Sequence, residues 1–326
     1  MGTHTQRRIL VTGALGQIGS ELTLGLKERY GADNVIATDI QPDAKKKLSN
    51  DVTFETLDVL KPDRISSAVR KHRIDAIYHL AALLSAVAEK KPRDAWDINM
   101  GGLLNVLDAA KENRCSVFFP SSIGAFGPST PQDGTPQDTI QRPTSMYGVT
   151  KVAGELLCDY YAAQSGVDVR GVRFPGIISN GTPPGGGTTD YAVEIFYEAI
   201  KNRTYTCFLK EGTSLDMMYM PDAITAAIGV MEADPSRLKH RNSFNVTAMH
   251  FTPEMLAAEI AKHIDGFTMK YRVDPVRQRI ADSWPNYMDD GAAREEWGWK
   301  PDFDLASMTA DMIRVLREKH KHGLLV

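Results

Sequence analysis

Between the apolar run Arg8-Ile-Leu-Val-Thr12 and a helical stretch stands the segment Gly13-Ala-Leu-Gly16-Gln-Ile-Gly19. Glycines at such a junction let the chain turn tightly and approach a ligand with bare backbone. The N-terminus of the helix beyond it supplies N–H groups and the positive end of a dipole, which together favour a pyrophosphate. Gly13, Gly16, Gln17, Ile18 and Gly19 are therefore the expected phosphate loop. The spacing is Gly-x-x-Gly-x-x-Gly, not the commoner Gly-x-Gly-x-x-Gly. The plain alternative is a glycine-rich turn that only joins strand to helix.

From this loop to about residue 173 the chain has a β-α-β rhythm. Helical patterns run over Ile18 to Arg29, Pro62 to Lys71, Trp96 to Asn113 and Tyr147 to Gln164. Strand patterns run over 34–39, 52–57, 76–80, 116–119 and 168–173. Near-continuous apolar strands alternating with helices imply an α/β, Rossmann-type, doubly wound parallel sheet. The second half is less regular. Segment 176–190 is rich in Gly, Pro and Thr and reads as a loop. Helices are expected over Asp190 to Asn202, Pro221 to Glu232 and Thr252 to Ile264, with a closing helix after Trp297 and Trp299. The expected division is a nucleotide-binding domain over 1–175 and a smaller C-terminal region over 176–326 that returns some segments to the first.

A net charge of −3 gives no basic surface for nucleic acid or an acidic membrane. Three scattered cysteines, Cys115, Cys158 and Cys207, form neither a disulfide framework nor a zinc set with the eight histidines, so no metal is expected. No apolar run is long enough to span a bilayer. No signal peptide is evident in the N-terminal residues. A cytoplasmic or mitochondrial-matrix location is expected.

Two further features carry chemistry. Asp39 ends the second strand, where a carboxylate accepts hydrogen bonds from both ribose hydroxyls and repels a 2′-phosphate. That favours NAD over NADP, although Lys45, Lys46 and Lys47 lie close in sequence. Asp58 and Val59 after the third strand meet the adenine, or Asp58 is a turn residue. Tyr147 and Lys151 stand four apart, which places a phenol and an ammonium on one helical face. A neighbouring cation lowers a phenol's pKa and makes it a usable base.

In combination, the glycine run, Asp39, Asp58, His79-Leu-Ala-Ala82, Asn99, Ser122, Tyr147 and Lys151 resemble the extended short-chain dehydrogenase/reductases over nearly the whole chain. The resemblance implies a catalytic Ser122, Tyr147 and Lys151, with Asn99 helping to hold Lys151. It implies nicotinamide contacts around Leu80, Ala81, Ala82 and Pro120, with the ring stacked near Phe174-Pro175. Dehydratases of that family carry an acidic pair after the serine, where this chain has Ile123 and Gly124. Many of its epimerases carry an Arg-Tyr-x-Asn-Val-Tyr-Gly stretch, where this chain has Phe174-Pro-Gly-Ile-Ile178.

Segments 121–128, 171–192 and 283–285 are similar to one subgroup, the short-chain L-threonine 3-dehydrogenases. That resemblance implies NAD-dependent oxidation of L-threonine by a homodimer, with helices 96–113 and 147–164 at the interface. An amino-acid substrate needs a carboxylate receptor, and backbone N–H groups and hydroxyls in 185–189 suit one. Gly186 and Thr188 are the candidates there. Ser85 and Ser121 are candidates for the same ligand, and Trp284 for closing the pocket. Ser85 also reads as a loop or cap serine, and Trp284 as an interface aromatic. The glycine-rich stretch 181–187 suits a loop that orders on substrate. His79 reads as a buried structural histidine, Arg173 as a partner of some carboxylate, and the methionines around Tyr219 as core. The competing functions are a sugar-nucleotide epimerase or reductase and a non-catalytic NAD-sensing module.

Overall fold

The computed structural model describes residues 7–42, 48, 50–183 and 187–325. The chain divides into two compact units. The first comprises Met1–Ser122, Met146–Arg173 and Ile224–Phe244. The second comprises Ile123–Ser145, Phe174–Ala223 and Asn245–Val326, so a segment inside the 1–175 span belongs with the C-terminal half.

Seven strands build the first sheet: β1 (Ile9–Thr12), β2 (Val35–Asp39), β3 (Thr53–Thr56), β4 (Ala76–His79), β5 (Ser116–Ser122), β6 (Val169–Phe174) and β10 (Phe244–Asn245). Their order is β10-β6-β5-β4-β1-β2-β3. Pairing is parallel from β3 through β2, β1 and β4 to β5. Every residue of β1 and β4 is buried, which is why both read as unbroken apolar runs. The edge strand β3 is largely accessible.

Helices α1 (Gln17–Tyr30), α2 (Pro62–His72), α5 (Gly102–Asn113) and α6 (Met146–Ser165) pack in this unit. In α5 the residues Leu103, Val106, Leu107 and Ala110 repeat at helical spacing and are fully buried. Burying each of the larger ones stabilises the unit by about 2 kcal/mol. They meet Leu10, Ile36, Ile77 and Val117 from the sheet and Cys158 from α6 in one core cluster.

The long helix expected at Trp96–Asn113 is not one regular helix. A short α4 (Pro92–Trp96) leads into a five-residue π-helical turn, Asp97–Gly101, and only then into α5. An additional short helix, α3 (Ser85–Lys90), precedes it.

The second unit holds the three-stranded sheet β11-β9-β7, built from β7 (Gly176–Ile178), β9 (Leu215–Tyr219) and β11 (Met249–Phe251). It also holds the parallel pair β8 (Thr204–Cys207) and β12 (Thr268–Tyr271). Its core gathers Tyr191, Ile195 and Phe196 of α7 (Tyr191–Asn202), Leu256 of α9 (Pro253–Ala261), and Met308 and Met312 of α12 (Leu305–Lys321). Helix α8 (Met220–Glu232) runs from this unit into the first, and α10 (Pro275–Ala281) and α11 (Gly291–Trp297) belong to the second. Pro at the first turn and a side-chain cap start several of these helices. Thr252 accepts from Met255 N at 3.4 Å, and Asp274 from Val276 N at 2.8 Å.

Candidate active site

The glycine loop leaves β1 with Gly13 at φ +70°, a left-handed conformation that side chains avoid. A Cβ on Gly13 would lie 2.6 Å from Ala81 N, and one on Gly19 would lie 2.1 Å from Gly13 O. The loop therefore closes on itself and on the chain leaving β4, and only glycine permits that. Helix α1 opens at Gln17, with Ile18 and Gly19 in its first turn. Asp39 ends β2 and is fixed beside this loop: its Oδ2 accepts from Leu15 N and its Oδ1 from Gln41 N, both at 3.0 Å. Lys45, Lys46 and Lys47 lie outside the described residues. Asp58 accepts from Leu60 N at 2.9 Å through its side chain, and Val59 is buried against Gly102.

Leu80, Ala81, Ala82, Asn99, Pro120 and Lys151 line one cleft next to this loop. His79 behind them is buried and hydrogen-bonded to Thr12 Oγ1 at 2.9 Å; burial pushes its pKa down to about 3, so it stays neutral. That is the structural role expected of it. Phe174 and Pro175 are buried where β6 ends.

Ser122 at the end of β5 and Tyr147 in the first turn of α6 share a hydrogen bond. Lys151 Nζ lies 5.4 Å from the Tyr147 ring centroid and 5.0 Å from that of Phe119. Its ammonium donates to Pro120 O at 2.6 Å. Gly154 brings α6 close enough for this, since a Cβ there would lie 2.5 Å from Phe119 Cζ.

One expectation is corrected here. Tyr147 is not acidified: burial pushes its hydroxyl up to about 12, against the hydrogen bond from Ser122. Burial also pushes Lys151 down to about 8, with Glu155 and Cys158 opposing the fall. A dry site penalises both charged forms. When the pair holds one proton, that proton rests mostly on Tyr147, and phenolate beside ammonium is the minor tautomer. Asn99, expected to help hold Lys151, bonds the residue just before it. Its amide accepts from Leu83 N at 2.8 Å and donates to Leu83 O at 3.1 Å and to Thr150 Oγ1 at 3.0 Å. The π-helical turn is what carries it there, and π-turns recur at functional sites.

The residues proposed for a substrate have varied settings. Ser85 is half-buried at the start of α3. Ser121 is buried and donates to Glu155 Oε1, so its hydroxyl is already engaged. Gly185 and Gly186 lie outside the described residues. Thr188 is buried in a 3-10 turn, Thr188–Asp190, of the second unit. Trp284, 8 % exposed, is buried in that unit's hydrophobic core. Glu155 is not among the residues singled out from the sequence. The signal was present: a carboxylate four residues after Lys151 inside the apolar stretch 152–158.

Residues 9–247 match the NAD dependent epimerase/dehydratase family. This chain belongs to that family. The family's cofactor is NAD, and the closed glycine loop beside a fixed Asp39 fits a dinucleotide without a 2′-phosphate. An uncharacterized epimerase/dehydratase of Staphylococcus haemolyticus is 55% identical over 97% of this chain and 99% of its own length. Among solved structures, the L-threonine dehydrogenase of Clostridium difficile is 55% identical, with a TM-score of 0.95 over 97% of this chain and 99% of that one. A monomeric L-threonine 3-dehydrogenase from a metagenome is 46% identical, with a TM-score of 0.90 over 95% and 99%. Among the described residues no helix is long and apolar enough to cross a membrane.

Proposed function

We propose that this chain oxidises L-threonine at its 3-hydroxyl to 2-amino-3-oxobutanoate. The observation that carries the reaction type is the Ser122–Tyr147 hydrogen bond beside buried Lys151, together with the carboxyl-free pair Ile123-Gly124. Oxidising a secondary alcohol needs one base for the O–H proton and an acceptor for the C–H hydride. It does not need the acid and base of an elimination. The substrate is supported by relatives described as L-threonine dehydrogenases at 46% and 55% identity over nearly full length.

When bound, NAD supplies the hydride acceptor. Tyr147 as phenolate takes the proton from the 3-hydroxyl while the C3–H bond gives up its hydride and the carbonyl forms. Ser122 donates to the same oxygen and orients it. Lys151, as ammonium, stabilises the phenolate. Asn99 keeps Leu83 and Thr150 in place, and so keeps the cleft around Lys151 in shape. Asp39 selects the unphosphorylated ribose.

The test is NADH formation, read by absorbance, with L-threonine against L-allo-threonine, L-serine and UDP-sugars. Turnover of L-threonine is the expected result. Turnover of a UDP-sugar alone would put the epimerase reading in its place. Tight NAD binding with no turnover of any amino alcohol would favour the sensing module.

A homodimer is part of the same proposal. Leu104 on α5 and Val149, Leu156 and Tyr160 on α6 are exposed apolar residues, the last three aligned on one helical face. Sedimentation should give a dimer that Leu156→Glu dissociates. A monomer at micromolar concentration, the state described for the metagenome relative, would end this part of the proposal.

A further inference from the structure

Tyr147, Lys151 and Glu155 succeed one another at intervals of four on α6, so all three side chains share one helical face. Lys151 is 6 % exposed and Glu155 3 %. A buried ammonium with no compensating charge sheds its proton. Glu155 is the carboxylate that faces it, one turn further along.

That carboxylate is tightly held. Arg173 donates from Nε to Oε1 at 3.0 Å and from Nη2 to Oε2 at 2.8 Å. Ser121 donates to the same Oε1. Asn242 donates to the Glu155 main-chain oxygen at 3.1 Å. A forked guanidinium and a third donor thus satisfy both oxygens of this buried carboxylate. Ser121 is the chain neighbour of Ser122, so the group facing Lys151 also anchors the strand end that carries Ser122.

We propose that Glu155 is a positioning residue for the reaction: held as an anion by Arg173, it keeps Lys151 charged and fixes the Ser121–Ser122 strand end. The proposal rests on the reading of Ser122, Tyr147 and Lys151 as the reacting set. The other titratable groups facing Lys151 are Tyr147 and Cys158 from α6 and His79 from β4. His79 is neutral, and burial pushes the Cys158 thiol far up, so neither carries charge near neutral pH. Beyond Glu155 lie Arg173 on β6 and Asp159 on the next residues of α6.

The consequence is specific. Loss of the Glu155 charge lowers the proton affinity of Lys151 and leaves that of Tyr147 high. The first proton then leaves the pair at lower pH, and the phenolate–ammonium tautomer becomes rarer. A purely architectural ion pair would change neither.

Glu155→Gln and the neutral pair Glu155→Gln/Arg173→Gln test this. Lys151 is titrated directly by NMR on protein carrying 13Cε-lysine, its signal assigned with Lys151→Arg. In parallel, kcat/KM for NADH formation from L-threonine is measured against pH. In both variants the Lys151 midpoint should fall by about one pH unit. The rising limb of the rate profile should move with it, and the plateau should drop about tenfold. If the double variant keeps the wild-type midpoint and limb, Glu155 only neutralises Arg173 and the proposal is overturned. If the single variant does not fold, the double variant decides alone. If the wild-type protein makes no NADH from L-threonine, the substrate reading fails, and the lysine titration still decides the role of Glu155.

Discussion

The side-chain amide of Asn99 clasps both polar atoms of the Leu83 backbone, accepting from its N–H at 2.8 Å and donating to its C=O at 3.1 Å. The same amide nitrogen reaches Thr150 Oγ1 at 3.0 Å. One residue thus ties the chain after β4 to the residue just before Lys151. Asn99→Asp keeps the acceptor but sets a carboxylate oxygen against the Leu83 carbonyl. We expect a loss of about 1–3 kcal/mol of stability. A shift of the cleft by a fraction of an ångström should cut kcat/KM up to about a hundredfold. Thermal melting and steady-state kinetics read the two effects separately. Wild-type values in both would remove Asn99 from the site.

The inverted order of the Tyr147 and Lys151 proton affinities sets a pH profile. With Lys151 near 8 and Tyr147 near 12, the fully protonated pair dominates at pH 6 and contains no base. Losing one proton through about pH 8 gives access to the phenolate–ammonium tautomer. Oxidation should therefore rise about tenfold per pH unit below 8 and level off above it. Tyr147→Phe should bind NAD normally and lose at least about a hundredfold in turnover at every pH. A flat profile from pH 6 to 9 would contradict the ordering.

A methyl group in the phosphate loop should be more damaging than its size suggests. On Gly19 it would sit 2.1 Å from Gly13 O, so the loop must open to accept it. Gly19→Ala should weaken NAD binding at least about tenfold, measured by quenching of protein fluorescence, because close backbone approach to the pyrophosphate is lost. Asp39→Ala should instead leave the loop closed and narrow the preference for NAD over NADP. Unchanged discrimination would place the selection elsewhere.

The first sheet was legible because its longer strands are buried and mostly apolar, flanked by glycine or a helix. Three of its helices, α1, α2 and α6, were placed within a few residues, and α2 opens at Pro62 as expected. The strands β7 to β12 were not seen. They are two to five residues long, and the run Leu215–Tyr219 is buried throughout, so it shows no alternation to mark it as a strand. The π-helical turn at Asp97–Gly101 did not stand out in the sequence either, although Asn99, Gly101 and Gly102 are poor helix formers. In the site, spacing alone brought Tyr147 and Lys151 together on α6. Spacing could not give the pKa order, which depends on burial. Nor could it show that Ser121 turns to Glu155.

Asp216 gives the second unit a pH dependence of its own. It sits in β9, 1 % exposed, accepting from Thr247 Oγ1 at 2.5 Å and from Met288 N at 2.8 Å. Burial pushes its carboxyl up to about 8, with those hydrogen bonds opposing and Asp290 adding to the rise. Between the usual carboxylate range near 4 and about 8, the folded protein keeps a proton that the unfolded chain has released. Stability from this residue is therefore full below that window and is lost as pH rises through it, at up to about 1.4 kcal/mol per pH unit. Asp216→Asn is neutral at every pH, and its amide can still accept from Met288 N. Urea midpoints at pH 5, 6.5 and 8 should fall with pH in the wild-type protein and fall less in the variant. The variant should gain on the wild type as pH rises, and parallel slopes would show that Asp216 is ionised in the fold throughout.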